Sequence, residues 1–195
     1  MTFQFVNQPL RFGLYEPEGL YLHCPLAGHP KIAQYWGENS DYYAQFSYHG
    51  APLKGHPGLD LLASVGSMVL AVDRGRVVEI SVEPNGFGRY LKLEHSWGES
   101  LYAHLSEVQV EAGQLVNRGA QLALSGDNEG ALQPHLHFAI RITPYNRFDG
   151  WGGFADPLPF FSSADLQPAD EGFASGVQLF SPPPMATERA GMRRP

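Results

Sequence analysis

Between Gly58 and Ile142 the sequence keeps breaking into short runs with apolar residues at alternate positions, punctuated by glycines. Period two marks strands, because successive side chains on a strand point to opposite faces. Runs this short, separated by turn residues, pack as an antiparallel β-sandwich or barrel-like sheet, and the expected fold class is all-β. Residues 69–72 lead through Asp73-Arg74-Gly75 into residues 76–80, a pattern that reads as a hairpin with a glycine-containing turn. Residues 90–94 and 100–104 follow. Val116, Leu122 and Leu124, then Leu136, Phe138 and Ile140, supply later apolar faces. Gly75, Gly113 and Gly119 fall where hairpins turn, positions that often need positive φ.

The flanks differ. Residues 1–30 read as an irregular lead-in, broken by Pro9, Pro17, Pro25 and Pro30, and residues 162–195 as a proline-rich flexible tail containing Ser181-Pro182-Pro183-Pro184. The folded domain is placed at 31–161. Its first twenty residues carry Tyr35, Trp36, Tyr42, Tyr43, Phe46 and Tyr48, either a segment capping the domain or the aromatic walls of a groove.

Composition removes several classes of function. Twenty acidic and 13 basic side chains give a net charge of −7, a poor match to nucleic acid, whose binding rests on clustered Lys and Arg. Cys24 is the single cysteine, so an intrachain disulfide and a cysteine-based zinc site are both excluded; a small buried residue is its simplest role. The first 25 residues include Arg11, Glu16 and Glu18 where a secretory signal needs an unbroken apolar run. The longest apolar stretch, 61–72, is interrupted and too short for membrane insertion.

Two motifs carry that chemistry: His56-Pro57-Gly58-Leu59-Asp60 and His135-Leu136-His137. A carboxylate and two imidazoles make three ligands, the number a catalytic zinc uses while keeping a fourth position open. On a strand His135 and His137 project together, so one can bind a metal while the other stands beside the attacking water. Two imidazoles on one face of an apolar strand are costly without partners, which makes this motif more specific than His-x-x-x-Asp alone. His104, in Tyr102-Ala103-His104-Leu105, adds a further polar group. His95, between two strand patterns, reads as solvated or as supporting a site from behind, and Asp127-Asn128-Glu129 as a solvated turn.

These residues carry a family resemblance. His56-x-Gly58-x-Asp60, Gly66-x-x-Val69-x-Ala71-x-x-x-Gly75-x-Val77, Tyr102-Ala103-His104-Leu105, Gly113-Gln114-x-Val116-x-x-Gly119, Gly126 and Pro134-His135-Leu136-His137-Phe138 resemble, in order and spacing, the lysostaphin-like zinc metallopeptidases. Those enzymes are endopeptidases of bacterial peptidoglycan. The resemblance implies a β fold of the duplicated hybrid motif type and a single Zn2+ held by His56, Asp60 and His137. It also implies His135 as general base, His104 as the second catalytic histidine, and peptidoglycan stems or bridges as substrate. Tyr48, eight residues before His56, is a candidate transition-state tyrosine, with Tyr42 and Tyr43 as rivals. The competing functions are a non-catalytic wall-binding or amidase-activating relative, and a carrier or phosphotransfer-like domain suggested by residues 66–80 and 110–119. Carriers need a lysine at a hairpin tip, where this chain has Asp73-Arg74-Gly75.

Overall fold

The computed structural model describes residues 19–48, 50–84, 86–127 and 133–168. Its strands, in chain order, are β1 (Ile32–Gln34), β2 (Ser47–Tyr48), β3 (Ala51–Pro52), β4 (Leu59–Leu62), β5 (Met68–Leu70) and β6 (Gly75–Glu83). They continue with β7 (Gly88–His95), β8 (Gly98–Ala103), β9 (Leu105–Val108), β10 (Leu115–Val116), β11 (Gln121–Ser125) and β12 (His135–Ile142). One four-residue helix, α1 (Ser40–Tyr43), precedes β2. Seven strands form one sheet in the order β1-β4-β12-β8-β7-β6-β10, and three form a second, β5-β11-β9. Every paired strand is antiparallel. The all-β expectation holds, with open sheets rather than a closed barrel.

The alternation read from sequence divides the large sheet between two faces. Leu59 and Leu61 of β4, Leu136, Phe138 and Ile140 of β12, Tyr102 of β8 and Leu91 and Leu93 of β7 face the main core. There they meet Val69, Leu122, Ala123 and Leu105 from the small sheet. Leu101, Ala103, Ala139 and Tyr90 join a second apolar cluster with Phe87 and Phe154. Seven of the eight residues of β12 are buried, because this central strand is covered on both faces. The chain beyond Phe161 returns to the lead-in: Leu166 is buried, and Gln167 exchanges backbone hydrogen bonds with Pro30 and Ile32.

One predicted hairpin is not formed. β5 pairs with β11, whereas β6 pairs with β7 and β10, so Asp73-Arg74-Gly75 is a corner between sheets. Val69, Ala71 and Val72 are fully buried and Val77 is 1% exposed. Facing sheets bury both apolar sets in one core, which side-by-side strands of a single sheet would not do. Gly75 therefore has a different task from the one expected. Gly113 and Gly119 have positive φ, of 86° and 76°. Gly75 instead lacks a side chain because a Cβ there would lie 2.7 Å from His95 Nδ1.

His95 is likewise buried, not solvated. Its Nδ1 lies 2.9 Å from the Arg74 carbonyl and its Nε2 2.7 Å from Ser100 Oγ. Ser100 Oγ is also 3.2 Å from Tyr102 Oη, which accepts the Val72 N–H. The ring stacks on Trp97, whose Nε1–H donates to Asp73. With Nδ1–H donating to Arg74, Nε2 takes the Ser100 hydroxyl, and a protonated ring would force that hydroxyl to turn round. Burial lowers the His95 pKa from 6.5, against the pull of the Arg74 carbonyl and the Asp73 charge. The folded state thus binds less proton than the unfolded one, so this contribution is complete above the unfolded pKa and shrinks as pH falls below it. His95→Asn, which keeps a donor for Arg74, should lose on the order of 1–3 kcal/mol at pH 7.5. Urea unfolding from pH 7.5 to 5.0 should also show a shallower loss of stability than in the wild type.

Candidate metal centre

Pairing of β4 with β12 sets Asp60 directly opposite His137, and His137 in turn faces Ala103 of β8. Gln34 of β1 stands opposite Asp60 on the other side. Because Leu59, Leu61, Leu136 and Phe138 point into the core, Asp60, His135 and His137 share the opposite face. His56 arrives from the loop before β4, its backbone N–H bound to the Glu38 carbonyl. His104 occupies the single residue between β8 and β9, where the chain changes sheets. It has φ of 59°, a left-handed conformation that costs a non-glycine residue about 1–2 kcal/mol. Its N–H is held by the Phe87 carbonyl at 2.9 Å.

The structure brings all five sequence-selected residues together, each at most 6% exposed. His56 Nε2 is 3.2 Å from Asp60 Oδ1 and 3.0 Å from His137 Nδ1, which lies 2.9 Å from Asp60 Oδ1. The edge of a tetrahedron with metal–ligand bonds of about 2.0–2.1 Å is about 3.3 Å, so the three donor atoms lie close to the spacing that a zinc ion needs. Their outer atoms agree. His56 Nδ1 sits 3.1 Å from the Tyr35 carbonyl; donation there leaves the Nε2 lone pair aimed at the other two donors.

His135 Nδ1 lies 2.6 Å from the Gln133 carbonyl. The same logic gives its Nε2, 3.8 Å from Asp60 Oδ1, a proton-accepting lone pair. The His104 ring centroid is 4.7 Å from that of His135 and 6.1 Å from that of His137. Among the described residues, His104 Nδ1 and His137 Nε2 are buried with no hydrogen-bond partner.

Electrostatics follow from the crowding. Burial works to raise the Asp60 carboxyl, but the His56 and His135 imidazoles and hydrogen bonds from His137 and His56 prevail, holding it well below the usual range. His104 is driven well below 6.5 by burial and by the neighbouring His135 and His137, so its imidazole is neutral at neutral pH. His137 is lowered by burial against the pull of Asp60.

Other residues fall out differently. Tyr48 Oη accepts a hydrogen bond from Arg141 Nη2 at 2.9 Å, whereas Tyr43 is the tyrosine beside His56, with ring centroids 5.5 Å apart. Burial and the Asp60 charge push the Tyr43 phenol well above 10. Trp36 stacks on Trp151 at 4.4 Å and packs against the second cluster, which Phe154 joins. Asn128 and Glu129 lie outside the described residues. Arg141 escaped sequence reasoning although a signal existed, since it follows His137 at strand spacing on the same face. It is 1% exposed and donates to Gly152 O, Glu99 and Tyr48.

Residues 54–149 match the family model described as peptidase family M23. A Haemophilus influenzae protein described as an uncharacterized metalloprotease is 37% identical over 91 residues, covering 46% of this chain and 19% of the relative. The peptidoglycan DD-endopeptidase ShyB of Vibrio cholerae is 36% identical over 88 residues, covering 45% of this chain and 20% of the relative. The chain thus spans about a fifth of the length of both relatives. The solved antimicrobial peptidase lysostaphin from Staphylococcus simulans shares the fold, with a TM-score of 0.55 over 87% of this chain and 61% of that one at 23% identity.

Gly58 links motif to geometry: a Cβ there would sit 2.6 Å from the Phe138 carbonyl and 2.8 Å from His137 Cε1. Gly58→Ala should displace the His137 ring and destabilise the fold by about 1–3 kcal/mol. Competition with a chelator for added Zn2+ should show binding at least about tenfold weaker than to the wild type, the effect of roughly 1.4 kcal/mol lost at His137.

Proposed function

We propose that the chain, whose residues 54–149 match the model of peptidase family M23, is a zinc-dependent endopeptidase hydrolysing peptide crosslinks of bacterial peptidoglycan. His56, Asp60 and His137 hold one Zn2+; His135 and His104 are the catalytic residues. The observation that carries this reading is the convergence of three donor atoms within 2.9–3.2 Å of one another beside the His135 imidazole. When bound, zinc supplies Lewis-acid polarisation of the scissile carbonyl and acidifies water.

The protein's own groups do the rest. His135 Nε2 takes the proton of the attacking water and returns it to the leaving amine, while Gln133 fixes the tautomer that makes this possible. General-base assistance of this kind contributes roughly 10²–10⁴-fold. Neutral His104 carries one N–H and donates it to the oxyanion that develops at the carbonyl; an unpartnered buried nitrogen beside His135 suits that task. Burial of the five residues excludes water, which strengthens each of these interactions. The substrate class follows the name of the Vibrio cholerae relative. Among the described residues no helix is long and apolar enough to cross a membrane.

Wild type and His135→Ala, assayed side by side for zinc content and for turbidity loss of purified peptidoglycan, test the reading. Both proteins should carry about one zinc per chain, and the variant should clear peptidoglycan roughly 10²–10⁴-fold more slowly. Metal-free wild type that leaves peptidoglycan from every source intact would sink the reading.

A further inference from the structure

Among the described residues, the contacts of the Asp60 carboxylate fall on one oxygen. Oδ1 faces His56 Nε2 at 3.2 Å, His135 Nε2 at 3.8 Å and His137 Nδ1 at 2.9 Å. Gln34 stands directly opposite Asp60 in the β1–β4 pair. Side chains opposed in this way share a face, with Cβ atoms about 4.5–5.5 Å apart. Gln34 is 4% exposed, and its Nε2 is buried with no hydrogen-bond partner. Tyr43, the tyrosine beside His56, is hydrogen-bonded to the Gln34 side chain. The next residue of the chain already serves a ligand, since the Tyr35 carbonyl meets His56 Nδ1.

We propose that Gln34 is a positioning residue: its amide N–H donates to Asp60 Oδ2 when zinc is bound, holding Asp60 to ligation through Oδ1 alone. The inference rests on the zinc endopeptidase reading. A buried amide N–H without a partner is destabilising, so packing by itself would favour an apolar side chain at this position. Beside a carboxylate the amide has a use, because an ionised oxygen is a strong acceptor. Ligating carboxylates are themselves hydrogen-bonded, and loss of such a partner typically weakens metal binding about 10–100-fold. The restraint also protects the open position of the metal. An Asp60 free to turn could ligate through both oxygens and fill the place that a catalytic zinc keeps for water and substrate. Consecutive residues of the β1 end thus steady two ligands, Gln34 by its side chain and Tyr35 by its carbonyl.

The test compares the full chain with Gln34→Met, which keeps the length of the side chain and removes the donor. Competition with a chelator for added Zn2+ should show the variant binding about 10–100-fold more weakly than the wild type. Added Co2+ gives a second reading. Ligation through two oxygens raises the coordination number, so the visible absorption of the cobalt-loaded variant should fall in intensity, which loosened packing alone would not produce. Thermal unfolding without metal shows that the variant is folded. The wild type supplies a third reading that needs no variant: on adding Zn2+, a Gln34 side-chain amide proton should move downfield in the NMR spectrum. Folded Gln34→Met that matches the wild type in zinc affinity or in cobalt spectrum, or Gln34 amide protons that zinc leaves in place, would overturn the role of Gln34. Wild type that takes up neither metal is a separate result, which overturns the metallopeptidase reading and this inference with it.

Discussion

Asp60 is the interaction centre on which the rest depends. One of its oxygens lies within 3.8 Å of nitrogens from His56, His135 and His137, in a place that water scarcely reaches. Burying a carboxylate there is expensive unless it is paired, and the imidazoles are what keep it ionised. Its position is set by apolar chemistry several residues wide. Leu59 and Leu61 on one strand, Leu136 and Phe138 on the other, fix the register of β4 against β12 by entering the core. A slip of one residue would turn Asp60 and His137 inward and put leucines in the site. The core therefore specifies the candidate metal centre without touching it.

The corners between sheets are where polar groups take over from apolar pattern. At Asp73–Gly75 the chain leaves the small sheet for the large one, and His95 fastens the crossing to β8 through Ser100 and Tyr102. At His104 it returns in a single residue, with left-handed backbone held by Phe87. A glycine would take that conformation more easily. Strain kept by a histidine facing two other histidines agrees with a position chosen for its side chain rather than for its turn.

Much of this was legible in the sequence, for reasons that differ by residue. His135 and His137 could be read as neighbours from strand periodicity, whereas His56, Asp60 and His104 were picked out by motif spacing and the family resemblance, and it is strand pairing that sets Asp60 beside His137. The all-β class followed from the same periodicity. The misread hairpin at 69–80 shows the limit: local pattern identifies two strands and a turn, but only the competition for core space decides whether the turn joins neighbours or crosses between sheets. His95 failed for a related reason, because its partners Arg74, Ser100 and Tyr102 are assembled by pairing that no local window contains. Gly75 was marked as a turn glycine, whereas what requires it is a ring from β7.

Arg141 explains how the walls of the site are kept still. Four residues from His137 along β12, about 13 Å at strand spacing, its buried guanidinium bonds to three parts of the chain. These are Tyr48 from β2, Gly152 from the loop after β12 and Glu99 from β8, and its Cζ lies 4.1 Å from the centroid of the Phe154 ring. A buried cation cannot give up such partners cheaply; breaking a pair of this kind costs about 3–5 kcal/mol. Tyr48, the loop after β12 and Glu99 are therefore tied to the strand that carries His135 and His137. That rigidity suits a centre whose donors are already aimed, His56 by Tyr35 and His135 by Gln133. Oriented dipoles in a dry site need not reorganise to stabilise charge, so residues outside the cluster still set the electrostatics of the imidazoles and the carboxylate within it.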